Sequence, residues 1–393
     1  MAWPDRMEFS CPVKLICGRR ALEHIPYELS ARDARHPLLL SDEDAARENR
    51  SRAFVDALRA SDQTLGAIEA LPAKANLELV SELAAIYRDR DHDGLVVMGA
   101  GPLMETAKLL NLVVSTGQDD PRAFTSEKAG IALRLKPLVL IAPAAANGYE
   151  ASGRVQTDGF DLRAVGLMPN LVCIDERTLG APGRETLIAT GIRALALGAE
   201  TVMAADKNPV RDIYGVNAVQ MAATALRAVE TMPNAATPRM HLAGAAVMAG
   251  CALADRPPGR LERLARRLAA TGRTNYSEAL GILLPAAADF GERQWAWSPV
   301  DLLPALVGLD RAACTPPRQR SMRTASTLMA LVNDLFRHTA GRFPRTLEDA
   351  GFTREELASI AASIATDERD MAPETIVGLL QVALDGAPGP DRR

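Results

Sequence analysis

The sequence predicts an α/β plus all-α protein, with a Rossmann-like parallel-sheet domain over residues 1–181 followed by an all-helical domain over 182–393. Two observations carry this. In the first half, short apolar runs bounded by Gly, Pro or Asp alternate with helical patterns, the order that produces a doubly wound parallel sheet. Beyond Pro182 the strand signals fade and long stretches rich in Ala and Leu take over, which are strong helix formers. Aromatic residues make up only 4% of the chain, which argues further against an all-β core.

Taken in order, HPLLLSD (36–42), GLVVMGAG (94–101), PLVLIAP (137–143) and NLVCID (170–175) read as buried strands, being short, apolar and bounded by turn residues. Residues 76–90 space Leu77, Val80, Leu83 and Ala84 along one helix face. In the second half the helical patterns are 184–206, 210–231, 239–254, 259–271 and 321–340, with Pro257 and Pro258 suited to a helix start. The closing DGAPGPDRR reads as a frayed tail, and there is no internal repeat.

Composition narrows the class. The 393 residues suffice for two or three domains, and a net charge of -4 points away from nucleic acid. Five cysteines, an odd number with no CxxC pair, argue against a disulfide framework or thiolate zinc site and for a reducing cytoplasm. Neither a basic-then-apolar leader nor a run of about 18 apolar residues is present, so no signal peptide or membrane span is expected.

GAGPLMETAK (99–108) follows a strand and opens a helix. Gly99 and Gly101 let backbone N–H groups approach an anion, so this turn is read as a nucleotide phosphate cradle, with a plain tight turn as the alternative.

A series of motifs then falls in one order: EFSCPVKLICGRRALEHIPYEL (8–29), LLLSD (38–42), GLVVMGAGPLMETAK (94–108), NLVCIDERTL (170–179), TGIRALALGAE (190–200), EALGILLP (278–285), TLEDAGF (346–352) and ATDERDMAP (365–373). This order resembles the iron-containing (group III) alcohol dehydrogenase family of the dehydroquinate-synthase-like superfamily along nearly the whole chain. The first motif resembles that family's opening strand pair and first helix, and the last two its closing helices. The resemblance implies NAD or NADP on the first domain, with Asp42 at the adenosine ribose, Gly99, Ala100 and Gly101 at the phosphates, and Lys108 in its place. It also implies a homodimer, and an iron or zinc ion held by one Asp and three His of the second domain, which would polarise the alcohol oxygen during hydride transfer.

The chain departs from this pattern. Arg193 stands at the Asp position, and Leu197, Glu262 and Tyr276 stand at the three His positions. None of His24, His36, His92, His241 and His338 falls at a ligand position, so a divergent member without iron or zinc is expected. Arg193 and Glu262 are expected to pair across the vacated cavity, with Leu197 and Tyr276 filling space. The alternative is a solvent-facing Arg193. The family's threonine-bearing loop PTTxGTGSE is PAAANGYE (143–150) here, leaving Asn147 to take part of the cofactor-binding role. The run Arg256, Arg260, Arg263, Arg266, Arg267 and Arg273 reads either as a surface for an anionic ligand or partner, or as a solvated face.

Three functions follow. One is an NAD(P)-dependent, metal-independent oxidoreductase on alcohols or aldehydes, as some relatives such as maleylacetate reductases are thought to be, with Arg193 and Tyr276 as catalytic residues. The second is an inactive pseudoenzyme that regulates or scaffolds a protein partner. The third is an enzyme that has moved to a phosphorylated or carboxylated small molecule. Membrane and nucleic-acid partners are not expected.

Overall fold

The structure, a computed structural model, describes residues 7–386 other than 60, 73–76, 100, 125–133, 158–159, 230, 255 and 368–370. The chain divides into two compact units, one of Glu8–Gly183 with Asn234–Pro257, the other of Arg184–Pro233 with Pro258–Arg393.

In the first unit β1 (Lys14–Gly18), β2 (Pro37–Asp42), β3 (Gly66–Leu71), β4 (Gly94–Met98), β5 (Leu138–Ile141) and β8 (Leu171–Asp175) form one sheet, parallel throughout, in the order β1-β8-β5-β4-β2-β3. The strands β6 (Arg154–Thr157) and β7 (Phe160–Arg163) form a separate antiparallel pair. The helices are α1 (Ile25–Ser30), α2 (Glu43–Arg47), α3 (Ser51–Leu58), α4 (Leu77–Asp89), α5 (Pro102–Thr116) and, from later in the chain, α8 (Ala236–Leu253). Every residue of β4, β5 and β8 is buried. A sheet covered on both faces selects continuous apolar runs rather than alternation, which is why these strands were legible as runs. Val96, Met98, Val139, Ile141 and Cys173 join Leu22, Ile25, Leu29 and Phe54 in one core cluster, while α5 packs along β2, β4 and β5.

One strand expectation needs amendment, and one strand went unexpected. The opening motif yields one strand, β1, paired in parallel with β8, rather than a strand pair. The edge strand β3 carries GAIEAL, whose half-exposed residues give no apolar run, so it left no clear signal in the sequence.

The second unit contains α6 (Arg184–Met203), α7 (Pro209–Val229), α9 (Arg260–Ala270), α10 (Tyr276–Gln294), α11 (Leu303–Val307), α12 (Leu309–Cys314), α13 (Arg320–His338), α14 (Arg354–Asp367) and α15 (Pro373–Asp385). No strand occurs among its described residues. By length and composition α6 is apolar enough to cross a membrane, but 83% of its apolar window is buried within the protein, as befits a core helix. The expected domain cut at 181/182 lies close to the unit boundary at Gly183, yet α8 belongs to the sheet-bearing unit instead of the helical one. A Cβ on Gly250 would lie 3.0 Å from the Ala151 nitrogen, and Gly153 N–H donates to the Ala254 carbonyl at 2.7 Å. Helical periodicity reports that a helix forms, not which core receives it.

Close approach of α6 and α7 depends on two glycines. A Cβ on Gly198 would meet the Gly215 carbonyl at 2.9 Å, and one on Gly215 would meet Val202 at 2.7 Å. Gly215→Leu is therefore expected to cost about 1–3 kcal/mol by overpacking. In urea denaturation this reads as a lowered midpoint at unchanged slope.

Candidate active site

In the sheet, β2 leads outward to β3, whereas β4 leads the other way to β5 and β8. The C-terminal ends of β2 and β4 thus flank a topological switch point, where open α/β sheets bind ligands. Asp42 ends β2 and Gly99 and Gly101 follow β4. Asp42 caps α2, its Oδ1 accepting Ala45 N–H at 2.7 Å, and Arg50 lies 3.6 Å away. Burial pushes the Asp42 carboxyl above its ordinary value. Its other oxygen lies against Gly99, where a Cβ would come within 2.6 Å of Oδ2. The ladder to β3 slips beside it, with Ala70 at φ 58°, the kind of bulge that redirects strands near sites. Gly101 adopts φ 57°, which favours glycine, and a Cβ there would lie 3.5 Å from the Asn147 amide nitrogen. The structure therefore gathers Asp42, Gly99, Gly101 and Asn147 at the C-terminal ends of β2 and β4. Ala100 lies outside the described residues.

Lys108 does not join them. Its side chain is 1% exposed, and its ammonium donates to the carbonyls of Tyr149 at 3.1 Å, Ser152 at 2.5 Å and Arg154 at 3.3 Å. An ammonium has three donors, so all are committed to holding the 149–154 segment. Desolvation lowers its pKa to about 8, against the pull of Glu105 and Glu150. The neighbouring loop is also closed on itself. Buried Glu150 accepts the N–H groups of Asn147 at 2.5 Å and Gly148 at 2.8 Å, and Asn147 Oδ1 accepts Tyr149 N–H at 2.8 Å.

In the helical unit, Arg193, Glu262 and Tyr276 meet in one cluster. Glu262, 0% exposed, is ion-paired with Arg266 one turn further along α9 at 2.9 Å. The Arg266 guanidinium stands 5.0 Å from the Tyr276 ring centre, and that of Arg193 stands 5.8 Å from the same ring. Arg193 Nε donates to Ser277 Oγ at 2.7 Å. Leu197, one turn beyond Arg193, is buried and offers no polar atom. Arg193 thus faces this cluster and not simply solvent, and the cluster joins Glu262 to it through Arg266 and the Tyr276 ring. A capping box fixes Tyr276 and Ser277 at the head of α10: Asn275 Oδ1 accepts the N–H groups of Ser277 and Glu278, and Glu278 accepts that of Asn275. Beside Ser277 opens a pocket of about 120 Å³, lined by Glu185, Ile188, Thr339 and Phe343 among others. It is smaller than a whole-ligand site of roughly 300–1,000 Å³.

Glu200 sets the position of α9. Its buried carboxylate accepts Leu261 N–H at 2.7 Å and Glu262 N–H at 3.3 Å, and burial pushes its pKa up to about 7.

Sequence comparison matches an iron-containing alcohol dehydrogenase model over residues 12–163 and the C-terminal model of the Fe-containing alcohol dehydrogenase family over 187–382. The chain belongs to the iron-containing alcohol dehydrogenase family. It is similar to "Probable alcohol dehydrogenase EutG" of Salmonella typhimurium, 26% identical over 293 residues and 72% of either chain. It is likewise similar to maleylacetate reductase 2 of Cupriavidus pinatubonensis, 26% identical over 283 residues and again 72% of either chain. Among solved structures, an alcohol dehydrogenase from Oenococcus oeni superposes with a TM-score of 0.78 at 18% identity, covering 96% of this chain and 100% of that one. Identity this low establishes the shared fold.

Within the family frame, sequence reasoning missed Ser277, Arg266 and Glu200. Ser277 adjoins a named position and Glu200 closes the matched TGIRALALGAE motif, so both were within reach of the pattern. Arg266 stood inside the arginine run, and the structure gives partners to others of that run: Arg260 lies over Trp295, and the exposed Arg273 lies over Phe352 and pairs with Glu356 at 2.5 Å.

Lys108→Met is expected to remove a donor from each of three carbonyls, of which that of Tyr149 keeps the Ser152 N–H and hydroxyl, and to cost about 1–3 kcal/mol, measured by urea denaturation. A pH test addresses Glu200. Between its ordinary 4.5 and about 7, the folded protein keeps a proton that the unfolded chain releases. The stability contributed by this group is therefore full below that window, falls as pH rises through it, and is flat above. The melting temperature of Glu200→Gln is expected to fall less than that of the wild type between about pH 5 and pH 8.

Proposed function

We propose that this chain is an NAD(P)-dependent oxidoreductase acting on small alcohols or aldehydes without a divalent metal, with Arg193 and Tyr276 stabilising the substrate oxygen anion. The observation that carries the reading is the cluster itself, the guanidiniums of Arg193 and Arg266 near the Tyr276 ring, with Arg193 and Tyr276 standing where the resemblance places two of the metal ligands. These residues do not fit iron or zinc. Leu197 offers no donor, the Glu262 carboxylate is engaged by Arg266, and Arg193 and Arg266 already bring positive charge. Fixed cations aimed at developing negative charge do part of what a Lewis acid does, provided water is kept away. Ser277 holds the Arg193 guanidinium by its Nε, which orients that cation at the head of α10.

The crevice at β2 and β4 supports the cofactor half. Asp42 is the residue that would accept a ribose hydroxyl, and Gly99 and Gly101 the backbone that would approach the phosphates. A bound nicotinamide would supply or accept the hydride. The homodimer implied by the resemblance and the cytoplasmic location suggested by the cysteines belong to the same proposal.

A second reading, the pseudoenzyme, is favoured by the closed loop. The Asn147 and Gly148 N–H groups serve Glu150 and the Lys108 ammonium serves carbonyls, so neither is free for a cofactor.

One experiment separates the readings: metal analysis of the purified protein, titration with NADH and NADPH, and a screen of aldehydes and keto acids with and without chelator. The proposal expects saturable cofactor binding and turnover that survives chelation, with Arg193→Met lowering kcat by about a hundredfold at unchanged cofactor affinity. Stoichiometric iron or zinc whose removal abolishes turnover would return the metal-dependent reaction. No binding up to millimolar cofactor would leave the pseudoenzyme.

A further inference from the structure

Apart from the cluster, the helical unit carries a groove of about 830 Å³ whose walls are α7 and α13 and whose floor is the 304–308 segment. Its volume lies within the roughly 300–1,000 Å³ of small-molecule sites. On α7, Gln220, Thr224 and Arg227 share one face; on α13, Arg323, Thr327 and Asn333 line the facing side. Arg311 of α12 closes one end, beyond Gly308, whose φ of 90° turns the chain there.

Among the described residues the lining contains three arginines and no carboxylate. Among the described residues none of Arg227, Arg311 and Arg323 makes an ion pair, whereas Arg293, Arg345 and Arg354 of the same unit are paired with Asp289, Asp349 and Asp385. Arg227 is tethered to the floor through the Leu306 carbonyl at 3.3 Å, which fixes its guanidinium at the groove wall. The floor between these charges is apolar, formed by Pro304, Ala305, Leu306 and Val307. Three like charges line one concavity, and an anion there would accept the forked guanidinium donors.

We infer that this groove binds an organic polyanion, a small molecule with an apolar body and at least two phosphate charges. The groove shares no lining residue with the glycine turn or with the Arg193 cluster, so it stands whether or not the protein turns over a substrate.

The test is calorimetric titration of the full chain with inorganic pyrophosphate and with ADP at low ionic strength, on the wild type and on Arg311→Gln/Arg323→Gln. Both arginines are exposed, so the variant is expected to melt with the wild type, which a thermal scan checks. Saturable binding that weakens by about tenfold or more in the variant, and weakens with added salt, is the expected result. Binding of ADP tighter than that of pyrophosphate supports the role of the apolar floor. Absence of saturable binding up to millimolar pyrophosphate and ADP overturns the inference. So does binding that the variant leaves unchanged, since the anion then sits elsewhere, the glycine turn after β4 included.

Discussion

Glu200 buries a carboxylate under the first turn of α9, where the Leu261 and Glu262 N–H groups donate to it, and the geometry of the cationic cluster depends on that contact. A helix N-terminus welcomes negative charge, while desolvation opposes it and pushes the carboxyl up to about 7. Gly259 makes the approach possible, because a Cβ there would fall 2.1 Å from the Glu200 carboxyl carbon. With the first turn fixed, Glu262 points inward and Arg266 returns to it from the next turn, which lays its guanidinium over Tyr276. Tyr276 in turn is placed by the capping box of α10, so two helix beginnings, each organised by an acidic side chain, hold the residues that face one another.

The sheet-bearing unit uses the same economy of polar groups. Lys108 looks like a ligand-binding residue in the sequence, and both it and Glu150 are buried against backbone of the 147–154 segment. An ammonium surrounded by carbonyls and a carboxylate surrounded by N–H groups stiffen a loop that carries little regular structure. What stays available at the switch point is mainly backbone, through Gly99 and Gly101, together with the Asp42 and Asn147 side chains.

The legible part of the fold was the part written in local periodicity. GLVVM and LVCID are strands because every side chain is buried, and an apolar run is the only way to satisfy that. The places of the glycine turn and of Asp42 were legible because each lies at the end of an apolar strand. The carbonyl cage of Lys108 was not, since its acceptors lie 41 to 46 residues further along the chain. Nor was the partner of Arg193: Ser277 is 84 residues away, and nothing in an isolated serine announces a guanidinium above it. The resemblance placed Arg193 and Tyr276 together, but the residue that brings Glu262 to them, Arg266, read as one more surface charge.

The return of α8 to the sheet-bearing unit has a bearing on how the protein is made. Residues 184–233 are synthesised before Asn234–Pro257 but belong to the other unit. On the ribosome, the sheet and its first helices emerge early, yet the helix whose Gly250 seats against Ala151 arrives only after α6 and α7 have left the tunnel. The two units therefore cannot mature strictly one after the other. A chain cut near residue 183 would strand the sheet without its last helix, so the natural divisions of this molecule are spatial and do not coincide with any single point along its backbone.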